Sequence, residues 1–234
     1  MMSENGKIKV IGFDADDTLW VNEPYYRNAE EQFIRLVAGY GVELDIAGAL
    51  FKTEMANLEL YGYGIKAFML SLIECAIQLT DGKLSASNIS QIIQIGKDML
   101  QRPIELLDDV KMVLESLAPR YKLIVATKGD LLDQERKMKR SGISSCFHHI
   151  EIMSDKQEEQ YEQLLRHLEI EPSQFLMVGN SMKSDIIPPL NLGARAIHIP
   201  FHTTWLHEEV GEDPETDRFI RVRGIREVPV LINR

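Results

Sequence analysis

Asp14, Asp16 and Asp17 crowd together with Thr18 behind them, directly after the apolar run of residues 8–13, which only Lys9 and Gly12 interrupt. Three carboxylates and a hydroxyl so close repel one another unless a cation or a proton intervenes. A short apolar run closed by a polar cluster reads as a buried strand of a parallel sheet covered on both faces. In open α/β sheets, ligands bind in the crevice beyond the carboxyl ends of such strands. The cluster therefore stands where metal-assisted or acid–base chemistry would occur, although Asp and Thr also favour turns and helix caps.

Three further segments carry chemically capable groups. Residues 126–130, Ala-Thr-Lys-Gly-Asp, set Thr127 before a glycine turn. There a hydroxyl can donate while nearby backbone amides approach an anion, but alone the segment is equally a simple turn. Lys156 precedes an amphipathic stretch and by itself reads as a surface lysine. Residues 175–185, Phe-Leu-Met-Val-Gly-Asn-Ser-Met-Lys-Ser-Asp, place Asn180, Ser181, Ser184 and Asp185 after another apolar run. Asn offers a hard cation a neutral carbonyl oxygen and contributes no charge.

These segments need a scaffold that brings them to one edge. Residues 104–234 alternate strand and helix. Strands are expected over 121–126, 147–153, 174–178 and 194–199, with a further one over 219–222. Helices are marked by Val110, Val113, Leu114 and Leu117, by residues 131–140, and by Tyr161, Leu164, Leu165 and Leu168. Ser154 and Gln157 fit a capping box before the last of these. The helix after Asp185 should be short, since Pro188 and Pro189 sit awkwardly within it, and should end at Gly193. Such alternation implies a parallel sheet with helices on both faces.

Between about residues 23 and 101 no convincing strand occurs. Tyr26, Ala29, Phe33, Leu36 and Val37 form one helical stripe. Ile65, Phe68, Met69, Leu72, Ile73 and Ala76 form a second, and Ile89, Ile92, Ile93 and Gly96 suggest a third that starts after Ser85 or Ser87. The expected architecture is α/β: a Rossmann-like, doubly wound parallel sheet from residues 1–21 and 104–234. An all-helical domain of about four helices, residues 22–103, is inserted into it.

Composition excludes several classes. The 234 residues are 44% hydrophobic and 26% charged, ordinary for a globular chain. A formal charge of −10 argues against a nucleic-acid partner, which needs a basic face. The one basic run, Arg136, Lys137, Lys139 and Arg140, reads as a solvated helix face. Cys75 and Cys146 lack metal-ligand spacing and suit a reducing cytosol. The six histidines also lack zinc spacing and read as surface or packing residues. The N-terminal residues show no apolar signal core, and the stretch 68–79 is too short and polar to span a bilayer. No membrane partner and a cytoplasmic location are expected; oligomeric state is not legible.

Asp14, Asp16 and Thr18 resemble the first motif, Asp-x-Asp-x-Thr, of the haloacid dehalogenase-like superfamily, with Asp17 in place of the commoner glycine. Thr127 is similar to that family's second motif, Lys156 with an aromatic five residues later to its third, and residues 179–185 to its fourth. There the usual first acid is replaced by Asn180. In that superfamily an insert directly after the first motif is a C1-type cap. The resemblance implies a phosphatase acting on a small phosphate monoester with Mg²⁺. Asp14 is then the nucleophile and Asp16 the general acid and base, its carbonyl also on the metal. Thr127 and Lys156 bind the transferring phosphoryl group, and Asp185 and Asn180 join Asp14 as metal ligands. Lys128 becomes a possible substrate contact, and Asp17 a structural residue.

The chemistry explains why such parts belong together. Unit charges 4 Å apart repel by roughly 4 kcal/mol at an effective dielectric near 20, and a phosphate dianion about doubles that against a carboxylate nucleophile. A divalent cation and a lysine remove the penalty. Three alternatives share many of these parts. A metal-free 2-haloacid dehalogenase would explain Asn180 but leave Asp16 without work, since halide needs no proton. A phosphoglucomutase-like transferase would pass the phosphoryl group to a sugar, and a receiver-type signalling domain would keep it. The receiver does not need an insert of some eighty residues.

Overall fold

A computed structural model describes residues 7–203, 205–208 and 213–232. The N-terminal segment read above for a signal core lies mostly outside them. Strand β1 (Val10–Phe13) leads into four helices, α1 (Glu23–Ala38), α2 (Ile46–Tyr61), α3 (Ile65–Leu79) and α4 (Ala86–Gln101). Helix α5 (Val110–Leu117), strand β2 (Lys122–Lys128), helix α6 (Leu131–Ser141), strand β3 (His149–Met153) and helix α7 (Glu158–His167) follow. Strand β4 (Phe175–Gly179), helix α8 (Ile187–Asn191), strands β5 (Arg195–His198) and β6 (Phe219–Arg221), and helix α9 (Val228–Ile232) complete the described chain.

The strands form one parallel sheet in the order β3-β2-β1-β4-β5-β6. That is the doubly wound α/β arrangement, and its direction of winding reverses at β1. Alternate residues serve opposite faces. Ile11, Phe13, Leu123, Val125, Leu176 and Val178 pack with Val113 and Leu117 of α5. Val10, Ile124, Ala126, Phe175 and Met177 pack with Tyr161, Leu164 and Leu165 of α7. Gly12 faces the second side, where a Cβ would meet the Phe175 ring at 2.7 Å.

Strand β2 runs two residues beyond its expected end because Thr127 and Lys128 pair with Ile152 and Met153 of β3. The cap of α7 also shifts: Gln157, not Ser154, is the N-cap, and its amide donates to Gln160 Oε1 at 3.2 Å. Pro188 and Pro189 prove compatible with α8 because they occupy its first turn, where a fixed φ suits the helix. A five-residue π-helical turn, Met182–Ile186, precedes that helix.

Two compact units result. One takes the residues up to Glu23, Ile104–Lys128 and those from Gln134 onward; the other takes Pro24–Pro103 with Gly129–Asp133. The second unit holds α1 to α4 around Phe33, Val37, Leu50, Phe68, Leu72, Ala76 and Ile92. Asp45 caps α2 by accepting from Gly48 N at 3.0 Å, and Ser85 caps α4 by accepting from Asn88 N at 3.1 Å. Lys66 pairs with Asp130 at 2.8 Å within this unit. The second stripe differs from its reading: Ser71 and Cys75 of α3 are buried while Met69 and Ile73 are only partly so. No helix among the described residues is long and apolar enough to cross a membrane.

Candidate active site

The sheet order sets the site. Asp14 leaves the carboxyl end of β1, and its amide donates to Val178 O of β4 at 2.9 Å. On one side of it lies the end of β2 with Thr127; Lys156 comes three residues after β3. On the other side, Asn180 follows β4 directly. Four segments distant in sequence thus converge at the reversal of winding.

Lys156 is almost wholly enclosed. Its Nζ donates to Asp14 Oδ1 in a short hydrogen bond and to Asp185 Oδ1 at 2.6 Å. Burial opposes the ammonium form, but the charges of Asp14 and Asp185 outweigh it and hold Lys156 above its ordinary value. Asp14 is pushed up to about 7 by burial first and the Asp185 charge second, against the pull of Lys156. Asp185 Oδ2 accepts from the Ser181 amide at 2.9 Å. Tyr161, five residues after Lys156, donates its hydroxyl to Ser184 O at 3.0 Å and so anchors the π-helical turn that carries Asp185.

The other oxygen of Asp14 faces a different group. Thr18 Oγ1 donates to Asp14 Oδ2 at 3.0 Å. One terminal atom of the Asn180 amide lies 3.2 Å from Asp14 Oδ2, 3.2 Å from Thr18 Oγ1 and 3.3 Å from the Asp16 carbonyl oxygen. Without a cation that atom must be nitrogen, donating to oxygens. With a cation among them it can be oxygen, because neighbouring ligands of an octahedral Mg²⁺ at about 2.1 Å lie about 3.0 Å apart. Asp14, the Asp16 carbonyl and Asn180 therefore suit a hard cation, whereas both Asp185 oxygens already have donors. No group of three or more His, Cys, Asp or Glu that could hold a metal occurs among the described residues. The set here instead mixes carboxylate, amide and backbone carbonyl.

Gly179 makes room for Asp185. A Cβ there would lie 2.3 Å from Asp185 Oδ2 and 2.4 Å from its Cγ. Gly179→Ala is expected to drive Asp185 off Lys156 and to lower kcat by about 10²-fold, the scale of a 1 Å misplacement. Steady-state kinetics beside a thermal melt checks this; wild-type kcat in the folded variant would refute it.

Asp16 points its side chain elsewhere. Oδ1 accepts from Trp20 Nε1 at 2.7 Å and Lys137 Nζ at 2.9 Å, and Oδ2 accepts from Gln134 Nε2 at 2.9 Å. Burial raises its pKa, but Lys137 and these donors outweigh it and hold the carboxyl below the usual range. Lys137 is thereby a correction to the reading of the basic run: Arg136, Lys139 and Arg140 are exposed, while Lys137 turns inward. Asp17 has φ 62° and accepts from the amides of Asn22 and Glu23, so it ties down the start of α1.

Thr127 is buried, and its hydroxyl donates to Lys128 O at 3.1 Å. Lys128 Nζ donates to Glu208 Oε1 at 2.5 Å and to Ser184 Oγ at 2.9 Å. Glu208 also accepts from Ser184 Oγ at 2.6 Å and from Ser181 Oγ. Burial works against its charge, but Lys128 and the hydroxyls bring its carboxyl down to about 2. His198 is buried with Nε2 2.8 Å from Asn180 O, a packing role beneath the site.

The sequence reading missed Trp20, Gln134, Lys137 and Glu208. A signal existed for two of them. Gln134, Lys137, Met138 and Ser141 share one helical face, so a polar pair occupies positions where a core stripe belongs. Trp20 and Glu208 carried no comparable mark.

The model of the haloacid dehalogenase-like hydrolases matches residues 8–193. N-acylneuraminate-9-phosphatase of Mus musculus is 25% identical over 240 residues, covering 97% of this chain and 94% of that protein. A haloacid dehalogenase-like family hydrolase from Xanthomonas campestris superposes with a TM-score of 0.88 at 35% identity, covering 100% of this chain and 94% of the other. A 2-haloacid dehalogenase from Pseudomonas syringae pv. Tomato shares the fold at a TM-score of 0.65 and 20% identity, over 97% of this chain and 98% of its own.

Proposed function

We propose that this chain, which belongs to the haloacid dehalogenase-like hydrolase family, is a Mg²⁺-dependent phosphatase of small phosphate monoesters that works through an aspartyl-phosphate on Asp14. Fold alone would not choose this activity. The carrying observation is the division of labour around Asp14. One of its oxygens meets Lys156, the other meets the oxygen cluster of Thr18, Asn180 and the Asp16 carbonyl, and the Asp16 carboxylate is held apart by its own donors.

In the first step an Asp14 oxygen forms a bond to phosphorus as the bond to the leaving alcohol's oxygen breaks, and Asp16 gives that oxygen its proton. In the second, water attacks phosphorus, Asp16 takes the water's proton, and the bond to Asp14 breaks to release inorganic phosphate. Lys156 offsets charge on the phosphoryl oxygens, and Thr127 stands at the neighbouring strand end to hydrogen-bond them. Mg²⁺ held by Asp14, the Asp16 carbonyl and Asn180, with Asp185 beside them, would supply the charge that lets a carboxylate meet a phosphate dianion. Lys128, paired with Glu208, would border the bound substrate. Residues 22–103 would act as a C1-type cap on a core of 1–21 and 104–234.

The full-length likeness to a mammalian N-acylneuraminate-9-phosphatase makes that acyl sugar phosphate the first compound to test, beside other sugar phosphates, phosphoglycolate and nucleoside monophosphates. Phosphate release from at least one is expected to fall by about 100-fold on chelation and return with Mg²⁺. Asn180 is the one feature that favours a metal-free dehalogenase. Chloride release from a 2-chloro acid without Mg²⁺, with no phosphatase activity, would install that reading instead.

A further inference from the structure

Asp16 sits in a cradle that the reaction scheme above does not by itself require. Both carboxylate oxygens are taken: Oδ1 by Trp20 Nε1 and Lys137 Nζ, Oδ2 by Gln134 Nε2. Gln134 Nε2 also lies 2.9 Å from Lys128 O at the end of β2, and Lys137 Nζ lies 3.0 Å from Asn22 Oδ1. The donors come from two places, α6 and the turn after β1, so the carboxylate is oriented from both sides. Lys137 is the only cation among the three, and only 12% of its side chain is exposed. An interior lysine needs an anionic partner to offset its lost hydration, and Asp16 supplies it.

The geometry points to Lys137 as a positioning residue for the second half-reaction, one that holds the Asp16 carboxyl group aimed while the aspartyl-phosphate is hydrolysed. This rests on the reading of Asp16 as general acid and base. A base must hold its lone pair toward the water at the moment of attack, and a carboxylate fixed by three donors loses little time in other rotamers. Gln134 and Trp20 fix the plane of the carboxylate; Lys137 adds the charge. Removing that charge should therefore slow dephosphorylation more than phosphorylation.

The test uses the whole protein with p-nitrophenyl phosphate, whose leaving group needs little protonation. Turnover is quenched in acid, and the fraction of protein carrying a phosphoryl group is read by intact mass. Lys137→Met is expected to lower kcat by about tenfold without raising KM and to increase the phosphorylated fraction. Lys137→Arg, which keeps the charge, should restore most of both. Should Lys137→Met fail to fold, Lys137→Gln carries the same expectation. Unchanged kcat, a loss confined to KM, a loss without added phosphoprotein, or an Arg variant as poor as Met would each overturn the assignment. Asp16→Asn separates the two levels. If it too turns over normally, the acid–base reading has failed and the positioning role falls with it. If it is inactive while Lys137→Met is normal, only the positioning role has failed.

Discussion

Asp14→Asn is expected to lower kcat by about 10⁴-fold or more while leaving the protein folded. The amide oxygen is too weak a nucleophile to form the bond to phosphorus, and a loss of that size corresponds to about 5.5 kcal/mol of transition-state stabilisation. The fold should survive because Asn keeps the size of the side chain. Its oxygen can still accept from Lys156, and Lys156 keeps Asp185 as a charge partner at 2.6 Å. The variant also loses the Asp14–Asp185 repulsion, which offsets part of what it gives up. Kinetics on the substrate found active, beside a thermal melt, decides the matter. Undiminished turnover by the folded variant would reject a covalent role for Asp14. Stable phosphorylation of the wild-type protein without release would instead favour the receiver-type reading.

The second large effect belongs to Lys156. Lys156→Met keeps the length of the stem and removes the ammonium that Asp14 and Asp185 share. Two interior carboxylates then face each other without a cation, the situation in which breaking a buried pair costs about 3 kcal/mol or more. The same change removes the group proposed to offset phosphoryl charge, so kcat should fall by about 10³-fold. The stability loss carries a signed pH dependence in metal-free solution. Asp14 is already pushed up to about 7 by burial and by Asp185, and it rises further once Lys156 is gone. A carboxyl raised in the folded state binds protons more readily folded than unfolded, so acid favours the folded variant. The deficit against wild type should be largest above pH 7 and shrink as pH falls toward 5, as urea unfolding at several pH values would show. A deficit that grew on acidification would contradict the shared-ammonium account.

Local patterns carried much of this protein. Apolar runs closed by polar clusters marked β1, β2 and β4, because a strand buried on both faces admits few polar residues until it ends. Helical spacing marked α1, α3, α4, α5 and α7, since one face of each must be apolar to pack. From these came the parallel α/β architecture, whereas the grouping of Asp14, Thr127, Lys156, Asn180 and Asp185 came from the resemblance to the haloacid dehalogenase-like motifs, since Lys156 and Thr127 carried no such signal by themselves. Tertiary structure alone decided which oxygen meets which partner. Asn180 rather than Asp185 faces Asp14 Oδ2 and the Asp16 carbonyl; Asp185 faces Lys156; and Lys137 leaves an otherwise exposed basic face to hold Asp16. Such choices depend on angles between elements that are distant in the chain, 29 residues apart for Lys156 and Asp185 and 121 for Lys137 and Asp16. Spacing along a sequence records which face a residue occupies, but not what waits across the gap.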